Sequence, residues 1–345
     1  MPCLVKGEIM FAREDGARWI TFLSLPSFIM AGWIIHFSWM IGLEGVFIPS
    51  LIILTSIIGL IYVMYKTKWH IDDLRWLLAP FFVTLLAIYL PWWNLTNISL
   101  TDSAYHLIQA KSFLGLMDWS PTQHELDFLL RPPLVPGFFS LELLFQSETS
   151  YVKITPLLLL TTTLWQIQHL AERWSNPLQA ALVVPVFLLI PVVRYWGQMA
   201  YLDIPVAGMW ILTLHLFLLT EENKASKYSP LLLGMAAGAT FLTKYTHLYI
   251  IGLAGWFLLK DKAKFRSTQF ISGWLIIVGP YLLYHFITQG DPFAATFPQT
   301  SFAVKSAVGN VGEYTSIMWY NEFKDEITSI GVVGSLLGLI TLYIR

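Results

Sequence analysis

The chain has 345 residues, 56% of them hydrophobic and 12% charged. A soluble globular domain carries about 25% charged residues, so this composition excludes one and indicates an integral membrane protein. The net charge of −1 gives no sign of a nucleic-acid partner, and the single cysteine, Cys3, excludes an internal disulfide.

The apolar runs are about 17–25 residues long rather than alternating ten-residue segments, which points to helices and not a barrel. In chain order the predicted spans are 18–41, 45–65, 76–93, 153–170, 178–193, 204–220, 230–243, 245–259, 270–288 and 328–344. The first run is long and lacks a small-residue cleavage site, so it reads as a signal anchor. The pair 230–243 and 245–259 reads either as two short helices meeting at Lys244 or as one broken helix. The expected fold class is an all-α polytopic membrane protein of about ten transmembrane helices, with juxtamembrane helices in the first external loop.

Positive charge sets the orientation. With the N-terminus in the cytoplasm, 14 of the 21 cations fall inside and 7 outside. The inside set includes Arg18, Arg173, Lys260 and Arg266; the outside set includes Lys111, Arg131, Lys153 and Lys244. The stretch "RPPLVPGFFSLELLF" decides this balance. If 132–147 crossed the membrane, the cluster "KDKAKFR" at 260–266 would face outward. The segment is therefore expected to lie against, or dip into, the outer interface. Glu142 argues the same way, because a carboxylate at the bilayer centre costs about 2.5–3.5 kcal/mol on insertion scales. Two external loops result, at about 94–152 and 289–327.

Four polar positions fall on that external side. Asp102, in "SLTDSAYHLIQAKSFLG", either caps the helix that follows or presents a carboxylate at its exposed start. Ala104, Leu107, Ile108 and Leu114 make that helix an interfacial one. Arg131 is either a snorkelling arginine or a phosphate clamp, for which guanidinium geometry suits bidentate contact. Asp203, in "GQMAYLDIPVAGMW", opens a span where an acid also favours the helix dipole. Lys244 stands between two short apolar segments, where an ammonium wants an anionic partner. Gly234 and Gly238 before it allow close helix approach.

The order of these stretches resembles that of GT-C-type, polyprenyl-phosphate-dependent glycosyltransferases, in the group of the protein O-mannosyltransferases and lipid A aminoarabinose transferases. Asp102 matches that family's early acid, although Ser103 follows where many relatives have Glu. Arg131-Pro132-Pro133-Leu134 resembles its basic residue before a proline motif. Asp203-Ile204-Pro205 resembles an Asp-Pro-like helix start, and "GMAAGATFLTK" matches its glycine segment ending in Leu-Thr-Lys. The resemblance covers about residues 76–290.

It implies three regions. Residues 1–75 carry an extra transmembrane hairpin, 76–290 form a GT-C-like catalytic core including external loop 94–152, and 291–345 hold the second external loop and last span. It also implies transfer of a sugar from a polyprenyl (dolichyl or undecaprenyl) phosphate to a protein, lipid or glycan acceptor, with inversion, on the extracytoplasmic or luminal face of the plasma membrane or ER. Asp102 and Asp203 are the implied catalytic residues, Asp102 as general base. Arg131 and Lys244 are the implied donor-phosphate ligands. Tyr105 and His106 are accessory candidates. No metal residue is assigned, since Leu130 replaces the metal-binding Glu of aminoarabinose transferases. His106, His124, Glu125, Asp127 and His285 lack diagnostic ligand spacing, so no cofactor is certain and a divalent metal stays open. The rival readings are a transporter or lipid flippase, which expects ionisable residues along a midplane path, and a non-catalytic assembly subunit. Only His36 and His215 lie well inside spans as ionisable groups.

Overall fold

The computed structural model describes residues 16–43, 45–66, 73, 76–89, 101–116, 132–146, 152–190, 193, 196–197, 199–221, 228–245, 249–260 and 265–293. Among these residues there is no strand. The helices are α1 (Gly16–Met40), α2 (Phe47–Lys66), α3 (Leu78–Tyr89), α4 (Thr101–Phe113), α5 (Leu134–Leu143) and α6 (Ile154–Ala171). They continue with α7 (Pro177–Leu188), α8 (Asp203–Glu221), α9 (Ser229–Thr243), α10 (Tyr249–Lys260) and α11 (Phe265–Gln289). Four of them, α1, α2, α8 and α11, are long and apolar enough to cross a membrane. The helices α3, α7, α9 and α10 have 12, 12, 15 and 12 residues. That is short of the about 20 residues that a hydrocarbon core of about 30 Å requires. The structure thus supports a polytopic helical bundle with four qualifying spans among the described residues. The predicted span at 328–344 lies outside them.

The apolar surface shows what surrounds the bundle. On α11, Phe270, Ile277, Val278 and Tyr281 are buried, while Leu275, Ile276, Leu283 and Ile287 are exposed on the outside. Both faces are apolar, as expected of a helix whose solvent is lipid.

Glycines set the closest packing. A methyl group at Gly234 would stand 2.0 Å from the Phe270 carbonyl oxygen, and one at Gly273 would stand 2.1 Å from that of Leu231. The backbones of α9 and α11 therefore touch, and among the described residues this is the most extensive helix pair. Gly32 of α1 and Gly137 of α5 make a second backbone contact. Near Pro280, which removes a backbone donor from α11, the Ile277 carbonyl accepts from the Trp33 indole at 2.9 Å. The two predicted N-terminal helices differ sharply. Leu25 and Ile29 of α1 are fully buried in the main core, whereas α2 keeps most of its surface exposed.

The proline-rich stretch departs from expectation. The ten residues of α5 extend about 15 Å, too short to cross. Yet α5 does not lie on a surface: Leu134 to Ser140 are all buried, enclosed by α1, α4 and α6. Glu142 is 7% exposed and is not an uncompensated charge. Its carboxylate accepts from the backbone N–H groups of Lys153, Ile154 and Thr155 at 2.9, 3.0 and 2.8 Å. It also accepts from Thr155 Oγ1 at 2.8 Å and Gln146 Nε2 at 3.0 Å. The orphan donors at the start of α6 replace water around the carboxylate. Short length, rather than the cost of Glu142, is the physical reason that this segment does not cross.

Candidate functional site

Helix ends build the site. Asp203 is the first residue of α8, so its carboxylate stands where the helix dipole is positive. Lys244 follows the last residue of α9 and caps it in extended conformation, with φ −156° and ψ 114°. The two short helices α9 and α10 therefore meet around Lys244 and do not continue one another. Lys244 Nζ donates to Asp203 Oδ1 at 2.5 Å, with side chains 35% and 40% exposed. The pair joins two helices that also bond deeper down, where Thr213 Oγ1 and Thr240 Oγ1 are 3.3 Å apart.

The first-loop helix reaches the same place. His106 of α4 is buried, and its ring meets Tyr201 edge-on at 6.3 Å. Tyr201 is two residues before Asp203 and stacks on Trp196 at 4.4 Å. Asp102 is the second residue of α4, one helical turn before His106 and on the same face. Tyr105 is half-buried beside it. Arg131 lies outside the described residues; Pro132, which follows it, is buried. The structure thus brings together Asp203 and Lys244 directly, and α4 with them through Tyr201.

Sequence reasoning missed Tyr201 and Trp196, because an aromatic in an apolar run carries no distinguishing signal. It also expected an apolar interfacial face on α4. That helix buries Leu107, and Leu114 just past its end, in the main core, and with them the polar residues Ser103, His106, Gln109 and Ser112, which the sequence reading did not single out as buried. Ser103 is fully buried, and among the described residues its hydroxyl has no hydrogen-bond partner.

At the far end of the bundle stand further ion pairs of the described residues. Arg18 pairs with Glu172, and Glu221 pairs with Lys260 and with Arg266, the latter at 2.9 Å. Arg266 also donates to the Thr220 carbonyl at 2.9 Å. Helix α8 carries an acid paired to a base at both ends, Asp203 and Glu221. Its 19 residues separate them by about 28 Å, close to the thickness of a hydrocarbon core. The histidines His36, His215, His169 and His285 are all buried. Among the described residues, no group of three or more His, Cys, Asp or Glu is gathered to hold a metal ion. His124, Glu125 and Asp127 lie outside those residues.

Residues 131–284 match the model of the dolichyl-phosphate-mannose-protein mannosyltransferase family. The match bears out the family resemblance read from the sequence. Asp203-Ile204-Pro205 and Leu242-Thr243-Lys244 fall within it, and Arg131 is its first residue. Together with the apolar helices, it supports a membrane glycosyltransferase. No curated protein and no solved structure matches the chain.

Proposed function

We propose that the protein moves a sugar from a polyprenyl-phosphate donor to an extracytoplasmic acceptor, with inversion at the anomeric carbon. The family implies a dolichyl-phosphate donor and a protein acceptor. The observation that carries this reading is the Asp203–Lys244 pair at the mouth of α8 and α9, with His106 of α4 against Tyr201 nearby.

The chemistry follows from the charges. In the reaction an acceptor hydroxyl loses its proton, its oxygen bonds to the anomeric carbon, and the bond to the lipid phosphate breaks. Asp102 takes the proton as general base. The departing phosphate gains negative charge, which Lys244 and Arg131 neutralise as preorganised cations. Asp203 holds the Lys244 amine until phosphate arrives, so that the ammonium is never left alone near lipid. The N-terminus faces the cytoplasm in this reading, and the site faces outward. The pairs of Arg18, Lys260 and Arg266 at the opposite end of the bundle accord with the excess of cytoplasmic cations.

The test is transfer of radiolabelled sugar from native polyprenyl-phosphate donors in membranes. Product formed by the parent and lost in Asp102→Asn supports the reading. Transfer by Asp102→Asn at the parent rate removes the base assignment, and no transfer by the parent from any polyprenyl-phosphate sugar overturns the reaction class.

A further inference from the structure

An extended residue just past a helix end can swing, yet the Lys244 amine meets one carboxylate. What fixes it lies one residue further on. In extended backbone, successive side chains point to opposite sides. Lys244 turns toward Asp203 on α8, so Tyr245 turns the other way, into the bundle, and is 1% exposed. Its hydroxyl stands 2.5 Å from that of Tyr281 on α11, itself 2% exposed. The Tyr245 ring also packs on Phe241 of α9, with centroids 5.5 Å apart, and on the Tyr281 ring at 5.9 Å.

Packing alone does not call for these hydroxyls. Two phenylalanines would fill the same space without the cost of burying polar groups. The hydroxyl bond adds direction, tying the residue after Lys244 to a helix whose backbone already touches α9 at Gly234 and Gly273.

We infer that Tyr245 and Tyr281 are positioning residues that aim the Lys244 amine at the donor phosphate. The inference rests on the proposed transfer reaction. The pair touches no reacting atom in it; it acts through the backbone of Lys244.

The test uses the full chain in lipid nanodiscs and compares the parent with Tyr245→Phe, which leaves the Tyr281 hydroxyl behind, and with Tyr245→Phe/Tyr281→Phe. The single variant strands a buried hydroxyl, so its melting temperature falls. The double variant removes both hydroxyls and regains stability. If the pair positions Lys244, the regained stability does not restore donor binding. The donor KM stays raised on the order of tenfold, the effect of a misplaced ligand group, while the acceptor KM is unchanged. A double variant with the parent donor KM overturns the inference.

A second measurement does not depend on turnover. The Lys244 amine is acylated with a lysine-reactive ester, and the rate is read by mass spectrometry of its peptide. The amine reacts faster in the double variant, because it leaves Asp203 more often. Equal rates in parent and double variant overturn the positioning role, even if no polyprenyl-phosphate sugar proves to be a donor.

Discussion

Lys244 Nζ bonds to Asp203 Oδ1 across 2.5 Å, linking the residue that ends one helix to the residue that begins another. Both side chains are more than a third exposed, or close to it, so the pair contributes only about 0–1 kcal/mol to stability. Asp203→Asn and Lys244→Gln are therefore expected to melt within a few degrees of the parent. Transfer should fall on the order of a hundredfold in either, because the phosphate loses a preorganised cation. The double variant should be little worse than the poorer single, since the two act as one unit. Thermal unfolding in detergent and the transfer assay check both statements.

Asp102→Asn should keep the fold and lower transfer by about 10²–10⁴-fold, the range for a general base. Donor binding should be unchanged, because in the proposed reaction the carboxylate serves the acceptor hydroxyl. Single-turnover kinetics with bound donor separate the two effects.

Glu142→Ala should be among the more damaging single changes to stability. It leaves the N–H groups of Lys153, Ile154 and Thr155 without their acceptor, and a stranded buried donor costs about 1–3 kcal/mol. Glu142→Gln keeps one accepting oxygen and should lose less. The melting temperatures of both, measured in one detergent, give the order.

Gly234→Val should cost about 1–3 kcal/mol, because its side chain meets a carbonyl oxygen rather than a yielding side chain. Gly59→Ala on α2 should stay within about 0.5 kcal/mol, since nothing lies within 4 Å of the added methyl. Denaturation in mixed micelles compares them.

Orientation is read by cysteine labelling in a Cys3→Ser background. Phe145 is 79% exposed just before α6, and Trp174 is 69% exposed just after it. Phe145→Cys should react with a membrane-impermeant thiol reagent from outside, and Trp174→Cys only after the membrane is opened. The reverse pattern would invert the topology.

Much of this architecture was legible in the residues. A lysine between two short apolar runs predicted a break at Lys244, and the break is there. The balance of positive charge predicted that 132–147 does not cross, and the helix found there, α5, is too short to do so alone. The rest depended on contacts that no local pattern encodes. Glu142 read as an expensive charge because its partners are backbone N–H groups of a helix that starts at Ile154. Tyr245 and Tyr281 carry no local signal, because their bond spans 36 residues. Gly32 carries no local signal either, because its counterpart, Gly137, lies on a segment expected at the interface. About ten spans were expected and four helices among the described residues qualify by length, because α3, α7, α9 and α10 are shorter than the apolar runs suggested.

The enclosure of α5 bears on how the chain is made. Ten residues cannot be threaded into a bilayer as a segment in their own right, and so short a helix is marginal on its own. What holds α5 is the glycine notch on α1 and the capped start of α6, one synthesised before it and one after. The ribosome therefore releases this stretch before its berth exists. Membrane integration of the long helices and capture of the short one are separate events, and only the second completes the enzyme.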